Sequence, residues 1–276
     1  MRVLGIYREA RFSPGKVEAD AAILDTALSH LTRPGWRVTT LDGTELETDA
    51  PAPPAADLIL AMCQSSGALR RLELAQRAGT IVINQASAIR ACYRDRMGPL
   101  LHAAGIPTPL GRLVATNLSP AQAAAAIADF TLADGLFVKR GDLHALVADD
   151  VTRIDTLPAL LQALRQLAKR GANQAYLQAA VEGKVIKFYG VGRAFFQTVN
   201  QPEELGSKMV KALAQTAQSA AAALGLEVWG GDAVVDDDRF YLIDFNDWPS
   251  FAAVRAPAAA AIANHALSRT HRLGRK

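Results

Sequence analysis

The sequence predicts an α/β lobe followed by an α+β region, and three observations carry that reading. Through the first 84 residues short apolar runs alternate with helical runs, joined at Gly and Pro turns. Beyond Asn84 this rhythm gives way to strand pairs interrupted by helices. Half of the 276 residues are hydrophobic and a fifth are charged, a balance that sustains more than one buried core.

The elements follow in order. VLGIY reads as a first strand, and after the loop REARFSPGK a helical pattern runs through EADAAILDTALSHL. RVTTL, ADLILAM and TIVIN are the next strands, with GALRRLELAQRAG as the helix before the last of them. A parallel sheet with both faces covered is the expected result, and PAPPAA at 51–56 is a surface loop. SAIRACYRDRMGPLLHAAG then reads as one helix, closed by Gly105 and stopped by IPTP. GRLVAT is a strand, a helix starts at Ser119 and Pro120, GLFVKR is a strand, and LPALLQALRQLAKR is a helix. From Ala175 come AYLQAAV, KVIKFYGVG, AFFQTVN and WGGDAVV with its return RFYLIDFN, and the helix KALAQTAQSAAAALG precedes the last pair. The basic tail SRTHRLGRK is expected to fray.

Bulk properties exclude several function classes. A net charge of +3 is too small for a nucleic-acid partner. Cys63 and Cys92 form no CxxC unit and read as reduced thiols of a cytoplasmic protein. MRVLGIYREARF has too short an apolar run for a signal peptide, and no stretch approaches the ~20 apolar residues of a membrane span. SPGKV lacks the upstream glycine and the following Ser or Thr of a P-loop, the five histidines have no zinc spacing, and there is no GxSxG.

The chemistry concentrates in WGGDAVVDDDRFYLIDFNDWPSF. Strand alternation puts Tyr241, Ile243 and Phe245 on one face and Leu242, Asp244 and Asn246 on the other. If Asp236, Asp237 and Asp238 form a three-residue loop, Val235 pairs with Arg239 and Asp232 shares the face of Asp244, a diagonal neighbour about 7–8 Å away. A two-residue loop puts Asp232 on the opposite face. Two carboxylates and an amide oxygen suit Mg²⁺ completed by phosphates and water. On spacing alone an exposed acidic hairpin, with Asn246 capping a turn, explains the same residues. Lys139 ends LFVKR and Lys187 lies within VIKFYGV, and each needs an anion or a route to solvent.

In sequence order these segments resemble the ATP-grasp superfamily. INQASAIRACYRDRMGPLLHAAGIPTP is similar to the Asn-plus-basic-helix stretch, LFVKR to the strand of the phosphate-binding lysine, and YLQAAVEG to the adenine hinge. KVIKFYGVG and the acidic hairpin are similar to the phosphate-facing strand and the metal strand pair. The resemblance implies an ATP-grasp fold with a pre-ATP-grasp lobe over 1–84, a central subdomain over 85–174 and a C-terminal subdomain over 175–276. It implies ATP at Arg96, Lys139, Gln178, Ala179, Ala180, Val181 and Lys187, and Mg²⁺ at Asp232, Asp244 and Asn246. Departures are Arg96 for a lysine, RGDLHA for a glycine-rich lid, Ala179 for the hinge glutamate, and Asp244 for a glutamate.

The resemblance leaves two activities. One is an ATP- and Mg²⁺-dependent carboxylate–amine (or thiol) ligase working through an acyl phosphate, with Lys187 and Arg255 as catalytic residues. Arg255 would hold a substrate carboxylate, although a surface arginine opening a helix looks the same. The other is a kinase of the inositol trisphosphate branch, favoured by Asp244-x-Asn246 and by His144, with Arg8, Lys16, Arg140, His144 and Lys184 as its basic pocket. Either way the partner is a small acid or polyol phosphate, with no nucleic acid and no membrane, and a homodimer is left open.

Overall fold

The computed structural model describes residues 1–47, 54–142, 150–200, 205–236 and 239–273. His144, Asp237, Asp238 and parts of the PAPPAA and RGDLHA loops lie outside the described residues.

Three four-stranded sheets make up the architecture. The first is parallel, in the order β2 (Arg37–Asp42), β1 (Arg2–Tyr7), β3 (Leu58–Ala61), β4 (Ile81–Ile83). One face buries α1 (Val17–Ser29) and the C-terminal α8 (Arg255–Leu273), through Leu24, Leu28, Ala259 and Ile262. The other face takes α2 (Ser66–Arg77), through Leu69 and Leu72. Both faces are therefore covered, as the near-continuous apolar strands demand. Ser65 starts α2 by accepting a hydrogen bond from the Ala68 N–H at 3.2 Å. The tail expected to fray instead continues α8 to Leu273.

The second sheet runs β5 (Gly111–Ala115), β8 (Gln174–Ala179), β6 (Leu136–Arg140), β7 (Val151–Ile154), with antiparallel pairings. α5 (Pro120–Ala126) and α6 (Leu157–Lys169) bury its outer face. β8 pairs here rather than with the strands that follow it, although it begins where the third unit was expected. β7 had no strand-length apolar signal, because only Val151 and Ile154 of its four residues are apolar.

The third sheet runs β10 (Phe195–Val199), β9 (Lys184–Val191), β11 (Val228–Asp236), β12 (Arg239–Asp247). α7 (Ser207–Leu224) covers one face, ending at Gly225 in the left-handed conformation, φ 73°. The helix expected over SAIRACYRDRMGPLLHAAG is two helices, α3 (Ala86–Ala91) and α4 (Arg94–Ala103), and both pack on this third sheet. The break falls at Tyr93, whose ψ of 138° is extended and resets the helical phase. The opposite face of the sheet joins the first lobe's core through Tyr189, Val191 and Val228.

Candidate active site

The third sheet presents two cross-strand rows to the first lobe. Lys187 pairs with Asp232 and Asp232 with Asp244, while Tyr189 pairs with Gly230 and Gly230 with Asn246. Neighbouring strands lie ~4.8 Å apart, so each row spans about 10 Å. The Lys187 ammonium donates to Asp232 Oδ1 at 2.7 Å. Burial opposes the charge on Lys187, but the hydrogen bond and charge of Asp232, with Tyr189 and Asp244, outweigh it and raise its pKa. These residues line a cavity of about 550 Å³ between the first lobe and the third sheet.

The register that brings the acids together differs from the expected one. Asp236 pairs with Arg239 and Val235 with Phe240, so two residues rather than three separate the strands. On a regular ladder that would turn Asp232 away from Asp244. A β-bulge intervenes: Ala233 faces Leu242 and Asp232 faces Asp244, leaving Ile243 as an extra residue. Asp232 and Asp244 are thus directly opposite, not diagonal. The bulge also overturns the expected grouping of Leu242 with Asp244. Leu242 joins Ala233 and Phe245 in the core under α7, while Asp244 and Asn246 face the cavity. Asn246 Nδ2 donates to Asp244 Oδ2 at 3.4 Å, which leaves the amide oxygen free to ligate. Among the described residues no three His, Cys, Asp or Glu side chains cluster for a metal, so a site here needs the amide as its third ligand.

The first lobe supplies the opposite wall. Arg8, at the end of β1, donates to Met62 O at 3.2 Å, Asp20 Oδ2 at 3.1 Å, Asp247 O at 3.1 Å and Trp248 O at 2.8 Å. Ser13 Oγ donates to the same Asp20 oxygen at 2.5 Å. Gln64 Nε2 donates to Asp247 Oδ1 at 3.0 Å. Burial pushes the Asp247 carboxyl up to about 6, against the lowering effect of Arg8 and Gln64. The chain leaves this site through Trp248 and Phe251, non-glycine residues at φ 45° and 50°. Such backbone costs ~1–3 kcal/mol each, and burial of both rings offsets it.

A second, nearly closed cleft of about 10 Å³ lies between the second and third sheets, lined by Arg94, Lys139, Tyr176, Gln178 and Asp244 among others. Lys139, 7% exposed, donates to the carbonyl of the bulged Ile243 at 3.1 Å, and Gln178 Nε2 reaches the same oxygen at 3.5 Å. Burial lowers the Lys139 pKa to about 8; Asp244 opposes that shift and Arg94 adds to it. At the hinge the N–H groups of Ala179 and Ala180 are spent on Leu110 O at 2.8 Å and Gly135 O at 3.0 Å. The next N–H, that of Val181, has no backbone acceptor among the described residues.

The fold as a whole has solved counterparts. No family model matches the chain, and no curated protein sequence matches it. D-alanine–D-alanine ligase from Bacillus anthracis superposes with a TM-score of 0.72 at 12% identity, over 99% of each chain. The same enzyme complexed with ATP gives 0.73 at 13% identity, over 99% of this chain and 98% of that one. A RimK domain ATP-grasp protein from Sphaerobacter thermophilus gives 0.70 at 18% identity, over 97% and 100%. The chain has the ATP-grasp fold.

Within the ATP-grasp fold the expected residues separate into groups. Lys187, Asp232, Asp244 and Asn246 meet in the large cavity, and Lys139 and Gln178 meet in the cleft. Arg96 is exposed on α4, and Arg94 takes the place beside Lys139. Arg255 opens α8 and is not among the residues lining the large cavity. Asp20, Gln64, Asp247 and Tyr189 escaped the sequence reading. Only Asp247, one residue past Asn246, carried a local signal.

Proposed function

We propose that the protein is an ATP- and Mg²⁺-dependent ligase that joins a small carboxylic acid to an amine or thiol through an acyl phosphate. The charge arrangement of the large cavity carries this reading. Its lining holds Asp20, Asp232, Asp244 and Asp247 against Arg8, Lys16 and Lys187. Arg8 is already committed to Asp20 and three carbonyls, and Lys187 to Asp232. A polyphosphorylated acceptor needs several uncommitted cations. Of the basic residues a kinase would recruit, Arg140 is bound through two nitrogens to Asp142, at 2.6 and 2.9 Å. Lys184 is exposed and, like Arg140, absent from the cavity lining, and His144 lies outside the described residues.

The donor set fits magnesium, since Asp232, Asp244 and Asn246 turn hard oxygens to one cavity. When bound, the ion neutralises charge on the transferred phosphoryl group. Lys139, Arg94 and the hinge at Gln178–Val181 would hold the nucleotide. The acid's carboxylate oxygen attacks the γ-phosphorus; that O–P bond forms as the bond to ADP breaks. The amine then adds to the acyl carbon, the C–N bond forms, phosphate leaves with its electron pair, and the nitrogen loses a proton. Lys187, which donates to Asp232 at 2.7 Å, would offset the charge that develops on the phosphoryl oxygens. The protein works by positioning rather than by a covalent enzyme intermediate.

Hydroxylamine tests the reading. With ATP, Mg²⁺ and a panel of carboxylic acids, a ligase yields a hydroxamate for the acid it uses, whereas a kinase yields a stable phosphorylated alcohol. The double variant Asp244→Asn, Asn246→Ala should abolish ATP turnover, and unchanged turnover would remove the assignment.

A further inference from the structure

The cavity contains a buried donor that the proposed machinery leaves unused. Tyr189 stands two residues after Lys187 on β9, so strand alternation turns it to the same cavity. Its ring packs on Phe251 with centroids 5.0 Å apart, and the residue is 6% exposed. Among the described residues its hydroxyl has no hydrogen-bond partner, yet the oxygen is not among the atoms sealed from solvent. The hydroxyl therefore reaches the cavity wall with some exposure. Gly230 separates Tyr189 from Asn246 in their cross-strand row. A Cβ at Gly230 would meet Pro249 Cγ at 2.8 Å, Phe188 O at 2.9 Å and Tyr189 Cδ1 at 3.0 Å. The missing side chain lets the Pro249 and Tyr189 rings close over the strand between the hydroxyl and the Asn246 amide, which stand about 10 Å of sheet apart. That span accommodates a carboxylate lying beside a phosphoryl group.

We propose that the Tyr189 hydroxyl binds the acceptor acid, donating to the carboxylate oxygen that is not phosphorylated, and so makes Tyr189 a catalytic residue. The inference rests on the ligase reading. That oxygen becomes the carbonyl of the acyl phosphate. It takes up negative charge when the amine adds, and its electron pair re-forms the C=O bond as phosphate leaves with the charge. A neutral donor suits a monoanionic acid, because Arg8 and Lys187 in this cavity already have carboxylate partners. The substrate class is thus a compact acid whose reacting carboxylate is its main charge at this end of the cavity.

Tyr189→Phe keeps the ring and its packing on Phe251, so it isolates the hydroxyl. The full chain is assayed with ATP, Mg²⁺ and hydroxylamine over the proteinogenic amino acids and short mono- and dicarboxylic acids. For the acid that the wild type uses, the variant should lose about tenfold or more in kcat/KM. Its ATP dissociation constant, measured by calorimetry, should stay within about twofold, because the lost bond is to the acid. An unchanged acceptor kcat/KM, or an equal loss of ATP affinity, overturns the role of Tyr189. A wild type that forms hydroxamate with no acid removes the ligase reading and this inference with it. An active wild type whose Tyr189→Phe variant is unaffected removes only the inference.

Discussion

Lys139 is held charged in a place that disfavours charge, and its contacts say why the cost is tolerated. Its ammonium has one neutral acceptor, the Ile243 carbonyl, and burial lowers its pKa from 10.5 to about 8. Between those values the unfolded chain keeps a proton that the folded chain has shed. Stability therefore rises with pH from about 8 to 10.5, and the full penalty, on the order of 3 kcal/mol, applies below 8. Lys139→Met should raise the urea midpoint of the nucleotide-free protein at pH 7 and flatten that alkaline rise, while ATP affinity falls sharply. A lower midpoint for the variant would show that the ammonium is not strained. On α4, Arg94 is 3% exposed and donates to Arg140 O at 3.2 Å, whereas Arg96 is exposed. Arg94→Ala should weaken ATP binding and cost 1–3 kcal/mol of stability, with Arg96→Ala within about 0.5 kcal/mol of wild type by the same denaturation and calorimetry. The residue types of this site were legible in the sequence. Which arginine faces inward was not, because it depends on the phase reset at Tyr93.

The strand pair β11–β12 shows the same division at the scale of an element. Its apolar alternation and Asp232, Asp244 and Asn246 were readable, and so was the face they had to share. The register was not, since periodicity assumes a regular ladder and the Ile243 bulge carries no mark in composition. The parity argument expected a three-residue loop; the structure reaches shared parity with two residues and one bulge. The bulge also exposes a carbonyl that both Lys139 and Gln178 use, so one irregularity aligns the acids and anchors the cleft. Gly231 belongs to this element for a steric reason. A Cβ there would stand 2.4 Å from Asp244 O and 2.6 Å from the Phe188 ring. Backbone cannot yield as a flexible side chain does, so Gly231→Ala should cost 1–3 kcal/mol in urea denaturation and raise the Mg²⁺ requirement of ATP turnover. A variant with wild-type stability and Mg²⁺ dependence would mean that β12 shifts freely at the bulge.

Across the whole molecule, two side chains bind the first lobe to β11 and the end of β12 by hydrogen bonds to backbone. Asn84, fully buried, accepts from the N–H groups of Glu227 and Val228 at 2.8 and 2.9 Å and donates to Val228 O at 2.7 Å. Arg8 does the same at the far end of the site, where it fixes the Asp247 and Trp248 carbonyls just beyond Asn246. Sequence order revealed the lobes, but not these ties, because each joins residues more than 140 positions apart. Arg8 also supplies the cation nearest the buried Asp20 and Asp247, at 3.1 and 3.9 Å. Arg8→Ala strips both carboxylates of that cation and leaves three carbonyls without its donor, a loss expected at about 3–5 kcal/mol. Arg8→Lys restores charge but cannot reach Met62, Asp20, Asp247 and Trp248 together, so its urea midpoint should fall between those of the alanine variant and the wild type. The segment carrying Asn246 would then lose its Arg8 anchor and keep the Gln64–Asp247 hydrogen bond to the first lobe. Both variants should need more Mg²⁺ for half-maximal ATP turnover, the alanine variant more than the lysine. Loss of stability without any change in the Mg²⁺ requirement would make Arg8 a strut between lobes and nothing more. A joint change, graded from arginine to lysine to alanine, would show that lobe docking sets the geometry of the metal ligands.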